Sequence, residues 1–159
     1  MIDVIVVGEG QTEETFIREV LAPQLVDRDL NLQPRLIATS QTAKGGSLTH
    51  DRVLMFLRNT LRERKDTYVT TFFDLYGLRP GFPGVDAART TINPLSRCIV
   101  IENALAEAAV QASGSREDRF FAHVQPYEFE ALLFSDVSIF GEVQIGWSRF
   151  VEKLQLVRN

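Results

Sequence analysis

The chain has 159 residues, 45% hydrophobic and 24% charged, with a net charge of −4 and a pI near 5.2. That size suits a single domain, 1–159, with one real core, and the acidic balance excludes a broadly basic nucleic-acid-binding surface. One cysteine, Cys98, excludes an internal disulfide and a cysteine-built metal site. No apolar run approaches the roughly 20 residues of a membrane helix, so no membrane contact is expected and the cytoplasm is the default location.

The first stretch organises the rest. Residues 2–7 are almost unbroken apolar and β-branched, the composition of a strand buried on both faces of a parallel sheet. Gly8 and Gly10 then bracket Glu9, and a helical pattern follows. The third glycine of a dinucleotide fingerprint is replaced by Glu13, and Glu9, Glu13 and Glu14 would repel a pyrophosphate. Carboxylates at a strand end suit a hard cation such as Mg²⁺. Glu13 and Glu14 are also what the positive end of a helix dipole favours. Glu9 precedes the helix, where no dipole rule asks for it.

Residues 12–27 read as a helix with Phe16, Ile17, Val20, Leu21 and Leu25 on one stripe, and Pro23 as a kink or an end. Residues 31–39 read as a second strand. Residues 40–47 are a loop whose Lys44 precedes two glycines without a phosphate-loop motif; it is a connector or a phosphate contact. Residues 49–65 form the clearest helix, with Val53, Leu54, Phe56, Leu57 and Leu61 inward. Its bases, among them Arg58, Arg62 and Lys65, are a solvated face or a phosphate-contacting stripe.

Residues 68–73 are a β-branched and aromatic strand ending at Asp74, which lands beside Glu9 if the strands are parallel. Asp74 is otherwise a turn or cap residue. Residues 77–94 are irregular, with Phe82 either tucked down or stacked on a substrate, and Arg79 and Arg89 adding positive charge. Residues 99–112 read as a helix with Ile101, Leu105 and Ala108 inward, and residues 119–125 as a fourth strand. His123 and His50 are separate histidines that make no zinc site. Pro126 opens a short helix whose Glu128 and Glu130 either suit its dipole or supply a further acid to the site. Residues 146–157 read as a last helix carrying Trp147, Phe150, Leu154 and Val157.

Alternating strands and helices give an α/β domain with a mainly parallel four-stranded sheet and helices on both faces. Three motifs carry a resemblance beyond this. Val6-Val7-Gly8-Glu9-Gly10-Gln11-Thr12-Glu13 resembles the first motif of Toprim domains, found in topoisomerases, primases and overcoming-lysogenization-defect nucleases. With 68–77 and 125–134 it resembles, more narrowly, the bacterial domain-of-unknown-function family 4276, which is Toprim-like. The resemblance implies a Toprim-like fold and Mg²⁺-dependent (or Mn²⁺-dependent) phosphoryl transfer on nucleic acid, chiefly phosphodiester hydrolysis. Glu9 and Asp74 are its implied catalytic residues, and Glu9, Asp74, Glu128 and Glu130 its implied metal ligands. Where Toprim domains carry Asp-x-Asp, this chain has Asp74-Leu75-Tyr76, so the second acid is missing. A catalytically inactive interaction module, docking a partner such as an ATPase of a phage-defence system, is the alternative. A third reading is a nucleotide- or small-phosphate-binding protein using Lys44 and Arg79. Members of the family commonly continue beyond this point, which leaves room for a missing C-terminal segment.

Overall fold

The computed structural model describes residues 1–37, 48–143 and 145–158, and only the backbone of Phe129, Glu130, Leu133, Ile145, Val157 and Arg158. Two compact units form, Met1–Tyr127 and Glu128–Asn159.

The first unit is a parallel sheet in the order β2-β1-β3-β4. β1 (Ile2–Gly8) lies between β2 (Leu30–Leu36) and β3 (Tyr68–Asp74), with Ile5 level with Gln33 and Val69. β4 (Phe120–Phe121) and β5 (Val124–Gln125) both pair with β3, also in parallel. β2 is an edge strand, which is where Pro34, with no N–H to give the ladder, is tolerated.

Side chains alternate across the pleat, so the sheet has two different faces. On one, Ile5, Val7, Val69 and Phe73 are almost wholly buried beneath α3 (His50–Glu63) and α4 (Pro94–Ser113). α3 contributes Val53, Leu57 and Leu61, and α4 contributes Cys98, Ile101, Leu105 and Ala109. Ala109 takes the inward place expected of Ala108. Three- and four-residue steps from Leu105 reach both 108 and 109, and the sequence alone does not separate them. α4 begins five residues before the expected start. Asn93 Oδ1 accepts the Ser96 N–H at 3.2 Å, and Pro94 takes the first helical position, where its missing N–H costs nothing.

A continuous helical run covers the other face beside β2. It comprises α1 (Gln11–Phe16), a π-turn (Ile17–Leu21), α2 (Ala22–Leu25) and a 3₁₀ turn (Val26–Arg28). Pro23 neither ends nor interrupts the run. The wide π-turn precedes it, the kind of local adjustment that spares a proline ring the carbonyl one turn back. Asp29, at φ 59°, stops the run, and its carbonyl accepts the Ile2 N–H at 2.6 Å.

The fourth strand is broken where one strand was expected. The Thr71 hydroxyl donates to the His123 carbonyl and accepts the His123 N–H, each at 2.8 Å. A side chain of β3 thus replaces one rung of the ladder. Residues 77–94 are packed rather than loose: Leu78, Phe82, Val85 and Ala88 are all buried. Phe82 meets Phe73 edge-on at 6.4 Å between ring centroids, so it is a core residue and not a substrate platform. Gly84 makes this possible. Its φ is +77°, and a Cβ there would stand 2.8 Å from the Ile101 backbone of α4.

At the amino end of the strands Asp3 accepts from Asn31 Nδ2 at 2.8 Å and from Arg64 Nη2 at 2.7 Å, and Arg64 also reaches Asp66. The Asn31 hydrogen bond first, and then Arg64, hold the Asp3 carboxyl below its usual value near 3.8. Arg64 does the same for Asp66. Their contribution to stability is therefore present above that ordinary value and lost as pH falls through the lowered ones. Acid unfolding followed by circular dichroism is expected to begin below about pH 4, and Asp3→Asn is expected to flatten that limb. An unchanged acid limb would remove Asp3 from the account.

The second unit is helical throughout. A 3₁₀ segment (Phe129–Asp136), α5 (Ser138–Val143), a 3₁₀ segment (Ile145–Phe150) and α6 (Val151–Arg158) follow one another. Phe140 packs against Phe134 at 5.9 Å and Trp147 at 5.7 Å. The helix expected over 146–157 is therefore a 3₁₀ segment followed by α6, and Trp147 remains 47% exposed.

Candidate acidic site at the carboxyl edge of the sheet

β1 and β3 are adjacent and parallel, with Gly8 level with Phe72. Both chains leave the sheet at the same edge, β1 into Glu9 and β3 through Asp74 into a 3₁₀ turn (Leu75–Gly77). This is the edge where open parallel sheets bind ligands.

The glycines show how the Glu9 side chain lies. A Cβ at Gly77 would be 3.3 Å from Glu9 Oε1 and 3.7 Å from Oε2, so the carboxylate rests on the turn that follows Asp74. Glu9 Oε1 is shielded from solvent there. Asp74 is half-buried, with extended backbone (φ −83°, ψ 134°), as the last residue of its strand. Two carboxylates from the two central strands thus share one edge.

Glu13 folds back over the glycine turn. A Cβ at Gly10 would come within 2.9 Å of Glu13 Oε2. Gly10 is the helix N-cap and Glu13 stands three residues on, where the acid of a capping box belongs. Glu14 pairs with Arg18 one turn along. Both therefore have helix-end roles, which leaves Glu9 and Asp74 as the acids that no helix accounts for.

The other expected site residues fall in several places. Arg79 is exposed and lines an open depression of about 320 Å³ with Thr49, His50 and Asp51 at the start of α3. Arg89 is taken by Asp86 at 2.9 Å. Lys44 lies outside the described residues, as does the side chain of Glu130. Glu128 is exposed and precedes the first 3₁₀ segment of the second unit, so it belongs to a different unit from Glu9 and Asp74. Among the described residues no three His, Cys, Asp or Glu side chains are grouped as a metal site would group them. His123 stacks on Phe72 at 5.9 Å, with its Nδ1 3.6 Å from Glu102 Oε1. Cys98 is buried, and burial first, then Glu102, pushes its thiol up, so it is no nucleophile.

Two structural residues escaped the sequence. Glu102 Oε1 accepts the Val124 N–H at 2.8 Å and so seats β5 against α4. Arg119, 5% exposed, binds the carbonyls of Leu61, Arg64 and Thr67 at the end of α3. An arginine beside a predicted strand gives no periodic signal; its position after a polar break is the only hint.

Fold and site together define a parallel α/β domain with an acidic pair at the carboxyl ends of its two central strands. Residues 8–158 match the family described as a domain of unknown function (DUF4276), and the chain belongs to that family. No curated protein and no solved structure matches the chain. No helix among the described residues is long and apolar enough to cross a membrane.

Proposed function

We propose that the chain is a Toprim-like, Mg²⁺-dependent phosphoryl-transfer domain that hydrolyses phosphodiester bonds of nucleic acid, working with an ATPase partner in bacterial phage defence. The observation that carries the chemistry is the Glu9 carboxylate resting on the turn after Asp74, at the edge where parallel sheets take ligands. The three motifs that resemble Toprim-like proteins support the choice of substrate and partner.

The donor set fits the metal. Mg²⁺ takes oxygen ligands only, and commonly uses one or two protein carboxylates, with water and substrate phosphate completing the shell. Asp74 would be the principal ligand and Glu9 the second; Mn²⁺ accepts the same oxygen donors. When bound, the ion supplies charge stabilisation for the developing phosphoryl transition state. The chain's own residues do the rest. Where it is not a ligand, Glu9 would instead exchange a proton with the attacking or leaving oxygen, and Gly77 keeps the space its carboxylate occupies. Arg79, exposed near the start of α3, meets a substrate phosphate, with Lys44 as its partner in that task.

Titration calorimetry with Mg²⁺ and Mn²⁺ tests the reading. Wild type should show saturable heat, and Glu9→Gln should weaken binding about tenfold, the scale of one lost charged contact. No metal heat in the wild type would sink the proposal. Gly77→Ala gives a subtler check. The new methyl would stand 3.3 Å from Glu9 Oε1 and must push the flexible end of that side chain aside. Metal affinity should fall several-fold while stability changes by less than about 0.5 kcal/mol. Equal affinity in Gly77→Ala would mean that the resting place of Glu9 does not matter.

One observation favours the interaction module as the second reading. On the sheet face that carries Tyr68, Phe121 stacks on Tyr68 at 6.2 Å yet is 57% exposed. A domain that keeps its fold and has lost the second acid of Asp-x-Asp would bind no metal and use such an apolar face for docking.

A further inference from the structure

At the amino end of β3 and β4, opposite the acidic edge, an open cavity of about 310 Å³ is lined by four bases, Arg62, Lys65, Arg116 and Arg119, and by the 113–115 turn. None of its lining residues is acidic. β3 runs for seven residues, so about 20 Å separates the two ends of the sheet.

Two helices end here, and cations near helix C-termini are ordinary. That explains part of the cluster. Arg119 is used up on the carbonyls of Leu61, Arg64 and Thr67. Arg62 spends only its Nε, on the Ser113 carbonyl at 2.9 Å. Arg116 holds Asp118 at 3.0 Å on the surface. Among the described residues no carboxylate pairs with Arg62, Lys65 or Arg119. Four positive charges thus face one aspartate and two helix ends worth about half a negative charge each, a surplus of about two.

The turn between the bases leaves the cavity open. Gly114 sits at φ +67°, where a Cβ would meet nothing within 4 Å, and its N–H is held by the Val110 carbonyl at 2.8 Å. The Ser113 hydroxyl is bonded within the turn, and Ser115, whose hydroxyl lies 2.9 Å from it, adds a further polar group at the cavity wall. A surplus of about two charges, with guanidinium and ammonium donors in one concavity, is the chemistry that recognises a phosphate dianion or a phosphodiester.

We infer that this cavity is a phosphate-binding site, distinct from the acidic edge, in which Arg62 and Lys65 make the direct contacts over a floor formed by Arg119. The inference stands whether or not the acidic edge is catalytic. The phosphate comes either from a free phosphate group or from a nucleic-acid backbone.

The ¹⁵N-labelled full chain, titrated with inorganic phosphate and separately with a short single-stranded oligonucleotide, reads this out through its amide spectrum. Sodium chloride at matched ionic strength is the control. Saturable shifts confined to Gly114, Ser115 and Arg116 are expected with at least one ligand. Shifts with inorganic phosphate assign a free phosphate group, and shifts with the oligonucleotide alone assign a phosphodiester. Arg62→Gln and Lys65→Gln change exposed side chains, and each should weaken binding about tenfold with the rest of the spectrum unmoved. For the oligonucleotide, each lost contact should lower the salt slope by about 0.7. No saturable shift with either ligand, the same shift with chloride, or undiminished binding in both variants would overturn the assignment. Metal calorimetry on Arg62→Gln should match the wild type, so failure of this site and failure of the acidic edge are told apart.

Discussion

Asp74→Asn is expected to lower Mg²⁺-dependent nucleic-acid cleavage by more than about 100-fold while the fold survives. The reason is one of charge. Phosphoryl transfer is catalysed by positioning and electrostatic stabilisation, and both depend on holding the cation at the strand edge. Asparagine keeps the shape of the side chain and one oxygen, but it removes the charge that attracts a divalent ion. The backbone should not notice. Asp74 ends its strand in extended conformation, and its neighbour in the ladder is Gln125. Cleavage of plasmid and single-stranded substrates with Mg²⁺ or Mn²⁺, with any neighbouring ATPase included, is the measurement. Activity that persists in Asp74→Asn would place the chemistry elsewhere, and absence of cleavage and of metal heat in the wild type would favour the docking module.

That edge was legible because the code for it is local. A β-branched run that stops at glycines gives a buried strand and its end, and Glu9 follows at once. Tyr68 to Asp74 repeats the pattern, so parallel pairing alone brings the two acids to one side. What joins them is less local. The closeness of Gly77 to the Glu9 carboxylate depends on a turn three residues past Asp74 meeting a side chain some 70 residues earlier, and no periodicity reports that. Glu128 was a weaker inference for the same reason: the residues after β5 form a unit of their own.

Elsewhere the structure departs from the sequence pattern where a contact or a local backbone adjustment leaves no periodic signal. Residues 119–125 have the composition of one strand, yet the Thr71 hydroxyl takes both backbone groups of His123 and splits it. Pro23 reads as a kink or an end of the helix, and the π-turn ahead of it lets the run continue. The stretch 77–94 carries the glycines and prolines of a loop, but its apolar residues are spaced to reach the core, with Gly84 against α4. Composition shows the absence of regular structure there; it does not show burial.

Arg119 is the extreme case, and its removal is expected to cost about 3 kcal/mol. The side chain looked like the start of a strand. Its guanidinium instead reaches three carbonyls that the end of α3 and the approach to β3 would otherwise leave without donors. Each buried carbonyl stripped of its partner costs about 1–3 kcal/mol, and because the cavity beside it admits water, the lower figure applies to each of the three. Arg119→Met keeps most of the aliphatic volume and deletes the donors, so packing loss contributes little. Arg119→Lys should recover less than half. One ammonium cannot span carbonyls from Leu61 to Thr67 as a planar fork does. The charge remains in that variant, so the difference between Met and Lys separates helix-end electrostatics from hydrogen-bond geometry. Urea unfolding of the three proteins measures it. A loss below about 1 kcal/mol in Arg119→Met would mean that water replaces the guanidinium at all three carbonyls, and Arg119 would then be a spectator of the fold rather than the clamp between α3 and β3.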